Sequence, residues 1–170
     1  AGPDVSMNPL VFDSDPTDDI VQGGHGVHTA GTVAAEGDNG VGITGVAQRA
    51  TIMPLRICGL HVGIGDVRCR YSSQIAAINY AGANGARIAN MSLGGDFAEP
   101  MVRDAFAANP QVLFVVSAGN DNVNTDAAAR FPCAFDPTAS DIPGAVDNVV
   151  CVTASDQADG KPWFGNWGKT

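Results

Sequence analysis

The chain has 170 residues, with 9 Lys plus Arg against 18 Asp plus Glu and a net charge of −9; that acidity argues against nucleic acid, whose phosphates require a basic surface. It is 45% hydrophobic and holds 21 Gly and 10 Pro, the profile of a globular chain with many tight loops and enough length for one core. No run approaches the roughly 18 apolar residues of a membrane-crossing helix, so neither nucleic acid nor a membrane is expected as a partner.

Residues 1–24 read as loop, with Pro3, Pro9, Pro16 and an acidic cluster of Asp13, Asp15, Asp18 and Asp19. The EF-hand pattern fails there, because Thr17 and Asp18 stand where its third ligand and glycine belong. A solvated acidic loop is favoured over a calcium site. A helix is predicted over residues 25–35. Its Ala30, Gly31, Ala34 and Ala35 would let other backbones come close, so it is expected to be buried.

Residues 36–47, EGDNGVGITGVA, make a glycine-rich loop. GVGITG within it matches GxGxxG, yet it follows a helix and precedes a strand, the reverse of a dinucleotide fingerprint. A nucleotide-binding α/β domain is therefore the weakest of the functional readings. ATIMPLRIC, residues 50–58, reads as a buried strand. Residues 72–84 place Ile75, Ile78 and Ala81 on one helical face behind a Ser N-cap.

RIANMSL, residues 87–93, is a second strand. EPMVRDAFAA, residues 99–108, is an amphipathic helix with Glu99 and Pro100 in its first turn. VLFVVSA, residues 112–118, is a continuous apolar strand of the kind buried on both faces, and NVVCVTA, residues 148–154, is a fourth strand. Strands alternating with helices predict an α/β fold with a parallel sheet covered by helices.

The four cysteines form no CxxC pair, which disfavours a zinc ribbon or a thioredoxin-type site. They allow three pairings. The sequential one, Cys58 with Cys69 and Cys133 with Cys151, closes two short loops rich in turn formers and is favoured over free buried thiols.

HGVH holds two of the three histidines, His25 and His28. A zinc site needs a third ligand, and none stands at a motif spacing, with His61 in a different loop; no metal is assigned. As a general base, His25 is better placed. It sits at a helix start among Gly23, Gly24 and Gly26, which leave its ring accessible and admit a substrate backbone. FVVSAGND, residues 114–121, ends a buried strand in an Asn whose amide could donate to a developing oxyanion. NMSLGG, residues 90–95, ends another strand in glycines, an edge to which a peptide could add as a strand.

These three blocks, in this order, resemble the subtilisin-like serine proteases. HGVHTAGTVAA is similar to that family's His-Gly-Thr-His-Val-Ala-Gly signature, with Val27 and Thr29 departing from the usual Thr and Val. The resemblance implies that His25 is the catalytic histidine and His28 a packing neighbour. It implies that Asn120 is the oxyanion donor, that Ser92, Leu93 and Gly94 line the substrate strand, and that Ser117, Ala118 and Gly119 wall the pocket for the residue before the cut. FPCAFDPTAS followed by DNVVCVTASD resembles members with extra cysteines, which supports pairing Cys133 with Cys151.

The implied fold is a three-layer α/β/α domain around a mainly parallel sheet, incomplete at both ends. The family's triad runs Asp, His, Ser along the chain. WFGNWGKT ends the sequence before any Gly-Thr-Ser motif, and residues 2–5 resemble the segment that follows the catalytic Asp. Residues 1–170 are thus expected to be the middle of a catalytic domain, inactive alone, with apolar faces left uncovered. The expected parent is a secreted or otherwise extracytoplasmic endopeptidase acting on polypeptides. No cofactor is expected to be required, and structural calcium at the 13–19 or 36–41 loops is suggested by family habit only. The alternative is a non-catalytic subtilase-like binding module.

Overall fold

A computed structural model of the chain describes residues 17–18, 24–61, 66–137 and 145–169. The expectations on residues 2–5 and on Asp13, Asp15 and Asp19 lie outside the described residues. The chain divides into two compact units, Ala1–Ala77 and Ile78–Thr170.

In the first unit, helix α1 covers His25–Ala34, but none of its residues is buried, contrary to expectation. Its small side chains do admit a neighbouring backbone. Gly45 N and Ala47 N donate to Ala35 O and Val33 O at 2.9 and 2.7 Å, and a Cβ at Gly45 would collide with Ala34 and Ala35. That backbone covers one side of the helix only, and Val27 on the first turn stays exposed.

No strand forms over residues 50–57, where one was expected. Pro54 brings no N–H donor to a ladder, and among the described residues no strand lies alongside. Instead strand β1, Cys58–His61, pairs antiparallel with β2, Asp66–Cys69. Cys58 faces Cys69 across that pair, and the two are joined by a disulfide with Cα atoms 4.1 Å apart.

Helix α2 covers Tyr71–Ala83. It begins one residue before the expected Ser N-cap, so Ser72 and Ser73 lie in its first turn. Of the three residues expected on its inner face, Ile78 and Ala81 are buried and Ile75 is half-buried.

The second unit is built on a three-stranded parallel sheet in the order β3-β4-β5, comprising Ile88–Met91, Leu113–Ser117 and Val149–Val152. Helix α3, Pro100–Ala107, starts as a capped helix should, with Pro100 at its first position and the Glu99 carboxylate accepting from Met101 N. It buries Val102, Ala105 and Phe106, spaced three and four apart on one stripe.

The Phe106 ring lies 4.6 Å from that of Phe114 on β4 and 6.4 Å from Phe135 in the 3₁₀ helix Cys133–Phe135. Each such buried ring is worth roughly 1.5–3 kcal/mol of transfer free energy. The Asn148 amide, just ahead of β5, donates to the carbonyls of Phe106, Asn109 and Val112 at 2.9–3.1 Å. A second disulfide ties Cys133 to Cys151 on β5.

Strand β4 is not buried on both faces as expected. Phe114 and Val116 are buried while Leu113 is 39% exposed. Its partners repeat the alternation, so that Ile88, Val150 and Val152 are also exposed. Phe114, Val116, Val149, Cys151 and Met91 therefore face the core, while Ile88, Leu113, Val150 and Val152 leave apolar surface exposed on the strands.

Candidate active site

His25 is the first residue of α1 and is exposed. The helix begins at Gly24 in the left-handed region, φ 90°, and no side chain caps it locally. The missing cap comes from a distance. Asp18 Oδ2 accepts from Val27 N at 3.1 Å, a carboxylate on the positive end of the helix. Gly26 makes room for it, since a Cβ there would stand 3.3 Å from Asp18 Oδ2. Thr17 is held in turn, its carbonyl accepting from Arg56 Nη1 at 2.8 Å. His28 is exposed, and its N–H closes the first turn on Gly24 O. Among the described residues no group of three or more His, Cys, Asp or Glu is arranged to hold a metal ion.

The other candidate residues belong to the second unit. Because β3 and β4 are parallel, with Met91 beside Val116, the chain leaves both strands at the same end of the sheet. Ser92, Leu93 and Gly94 follow β3, and Ala118, Gly119 and Asn120 follow Ser117, the last residue of β4. This is the crevice position at which open α/β sheets bind ligands.

Two contacts bring the segments together. A Cβ on Gly94 would meet Phe131 O at 3.2 Å and Ser117 O at 4.0 Å. Gly95 and Phe131 exchange backbone hydrogen bonds of 2.9 and 2.8 Å. The Gly-Gly edge expected to receive a peptide is exposed at Gly94 but is already paired at Gly95. Asn90 Nδ2 donates to Ser92 Oγ at 3.0 Å, and Leu93 N donates to Met91 O at 2.8 Å.

Asn120 is exposed and its side chain meets no hydrogen-bond partner among the described residues, so its amide is available to an incoming oxygen. Ala118 is buried and bonded to Val152 O at 2.9 Å. Gly119 follows at φ 98°, a left-handed conformation that favours glycine, with its N–H on Ser117 Oγ at 3.1 Å.

Three residues that shape this loop have no place in the sequence reading. Asn166 is fully buried beneath it. Arg130 bridges Asp121, at 3.0 Å, and Asp96, at 3.1 Å, next to the Gly94–Gly95 turn. Asp121 accepts from Arg130 and from Asn166. Those two hydrogen bonds, Arg130 first, hold its carboxyl below the ordinary carboxylate range against a smaller opposing effect of burial. The signal for Asn166 was present in WFGNWG, a lone amide in an aromatic run, but nothing local says what that amide would hold.

Comparison with known proteins gives the same direction throughout. The model of the subtilase family matches residues 5–168. The thermophilic serine proteinase of Bacillus sp. (strain AK1) is 35% identical over 159 residues, covering 92% of this chain and 34% of that protein. Thermitase of Thermoactinomyces vulgaris is 31% identical over 147 residues, covering 85% and 46%. A crystal structure of a cold-adapted subtilisin-like serine proteinase superposes with TM-score 0.68 at 29% identity, covering 92% of this chain and 49% of that one. The chain thus has part of the subtilisin-like α/β fold and spans less than half the length of these relatives.

Proposed function

Because the chain belongs to the subtilase family, we propose that residues 1–170 are the central part of the catalytic domain of a serine endopeptidase. In this reading the rest of the domain supplies the catalytic Asp and Ser. His25 takes the serine's proton as the hydroxyl attacks the peptide carbonyl and returns it to the departing amine. Asn120 donates to the oxyanion of the tetrahedral intermediate. Ser92, Leu93 and Gly94 pair with the extended substrate, and Ser117, Ala118 and Gly119 wall the pocket of the residue before the cut.

The observation that carries this reading is the shared carboxyl end of β3 and β4. There an exposed Asn amide stands on a glycine turn, and Gly94 borders Ser117 O. The uncovered face of Ile88, Leu113, Val150 and Val152 supports the further point that more of the domain packs on this sheet. The two disulfides favour an oxidising, extracytoplasmic compartment. Structural calcium at the 36–41 loop belongs to the same reading and would appear as a calcium-dependent rise in Tm.

In this reading the carboxylate that fixes the His25 tautomer and the serine that gives up its proton lie outside residues 1–170, so the 170-residue chain by itself is inactive. A fluorogenic peptide assay with active-site titration tests it, and titratable cleavage by the pure 170-residue chain overturns it. Reading the coding sequence beyond both ends tests the rest. An Asp strand upstream and a Gly-Thr-Ser motif downstream are expected, and their absence favours the non-catalytic binding module.

A further inference from the structure

We propose that Asn166 is the positioning residue of the oxyanion donor, an internal strut that sets the loop presenting Asn120. The inference rests on the reading of Asn120 given above. Asn166 is completely buried, and a buried amide is costly unless its polar atoms are all partnered. Here every one is partnered, and every partner lies on the loop from Ala118 to Val123. Oδ1 accepts from Asp121 N at 2.9 Å and Val123 N at 3.1 Å. Nδ2 donates to Ala118 O at 2.8 Å and to Asp121 Oδ2 at 3.4 Å. An Asn side chain has two donors and two acceptor lone pairs, so its capacity is fully used.

The backbone around Asn166 extends the clamp. Its N–H donates to Gly119 O at 3.2 Å, Trp167 N donates to Val123 O at 3.1 Å, and Asn122 N donates to Phe164 O at 2.9 Å. Lys161 Nζ adds a bond to Asn122 Oδ1 at 2.6 Å. Thr153 Oγ1 donates to Asn166 O and holds the strut from behind. The bonds fall on residues 118, 119, 121, 122 and 123. Asn120 alone among the six is left without a hydrogen bond to any described residue. The loop is fixed on both sides of the residue whose amide must stay available.

Gly119 completes the geometry. A Cβ there would overlap Asn166 Nδ2, so the glycine is required by the strut as well as by its own φ of 98°. An oxyanion donor stabilises the transition state only when it is held where the charge develops and needs no reorganisation. Asn166 supplies that rigidity without touching substrate.

The test uses the full-length protein carrying this chain and four forms of it: wild type, Asn120→Ala, Asn166→Asp and the double variant. Aspartate keeps the acceptor oxygen but loses both donations and faces the Asp121 carboxylate. With a peptide p-nitroanilide, Asn166→Asp is expected to lower kcat about 10–100-fold with KM held within about threefold, the signature of lost transition-state stabilisation. In the Asn120→Ala background the same substitution is expected to cost no more than about twofold, because both changes remove one interaction.

Additive losses overturn the inference and make Asn166 a general structural residue. An Asn120→Ala protein with unchanged kcat overturns the proposed role of Asn120, and this inference with it. Amide exchange on the 170-residue chain provides a readout without catalysis, with Asn166→Ser as the milder variant should aspartate not fold. Faster exchange at Asp121 and Val123, with β4 unchanged, supports the strut; uniform acceleration overturns it.

Discussion

At the start of the His25 helix, a terminus without a local cap is closed by one carboxylate, that of Asp18, nine residues before the Val27 N–H it accepts from. At Asn120 a loop is closed by a buried amide arriving from Asn166, which bonds to both sides of it. The first arrangement is exposed and rests on a single side-chain bond. The second is desolvated and has no polar atom to spare. A bond in water is easily exchanged for water, whereas a buried one that breaks leaves an orphaned group. The loop bearing Asn120 is thus held by buried bonds within its unit, whereas the first turn bearing His25 rests on a solvent-exposed one.

Four experiments sharpen or break this contrast. The largest effect is expected from Asn120→Ala in the full-length protein, a fall in kcat of about 10²–10³. That magnitude is the one known for a subtilisin's own oxyanion asparagine and is the family's value, not one obtained from this structure. Steady-state kinetics check it, and an unchanged kcat removes the oxyanion side from the comparison.

Next come the disulfides. Replacing Cys133 and Cys151 by Ser is expected to lower stability by about 3 kcal/mol in the chain-entropy account, with a similar loss for Cys58 and Cys69. Urea unfolding of each variant measures the two separately. Asp18→Ala follows, with an expected cost of about 1 kcal/mol as a lost helix cap. Asp18→Asn, which keeps an acceptor, should recover most of it. If Asp18→Ala changes nothing, the His25 terminus is held by other means.

The smallest effect concerns acid. The folded-state pKa of Asp121 is lowered by the Arg130 hydrogen bond and then by that of Asn166. Its contribution is therefore present above the unfolded carboxylate value, about 3.9, and is lost as pH falls below that through the depressed folded value. The wild-type minus Asp121→Asn difference in Tm should be constant near pH 6 and shrink as the pH falls below the unfolded carboxylate value of about 3.9. Asp121 is more than half exposed, so solvent screening keeps the effect small. A flat difference curve would remove the charge from the Asn120 side.

What could be read from residues alone follows the range of the physics involved. Helix α3 was legible because Glu99, Pro100 and the spacing of Val102, Ala105 and Phe106 act within a few residues of one another. The sequential disulfides were legible for the same reason. The stretch 50–58 was misread because apolar composition does not supply a neighbouring strand, and Pro54 argued against one. Burial of α1 was misjudged because small residues announce a close approach without saying how many sides it covers. Asn166 stands out in WFGNWG, but its role could not be read locally, since its partners stand 43 to 48 positions upstream. Arg130 escapes for a related reason, since its value lies in joining Asp121, nine positions upstream, to the more distant Asp96.

The long reach of Asn166 also sets an order of events during synthesis. Asp121 leaves the ribosome 45 positions ahead of the amide that must hold it, an interval of roughly 2–9 s at ordinary translation rates of 5–20 residues per second. Through that interval β4 has a partner in β3, and the turn beyond it has the Arg130–Asp121 pair but not the buried amide that bonds both of its sides. The clamp on the Ala118–Val123 loop is consequently among the last features of its unit to be assembled. A nascent chain stalled or cut before Asn166 carries the asparagine without the means to aim it.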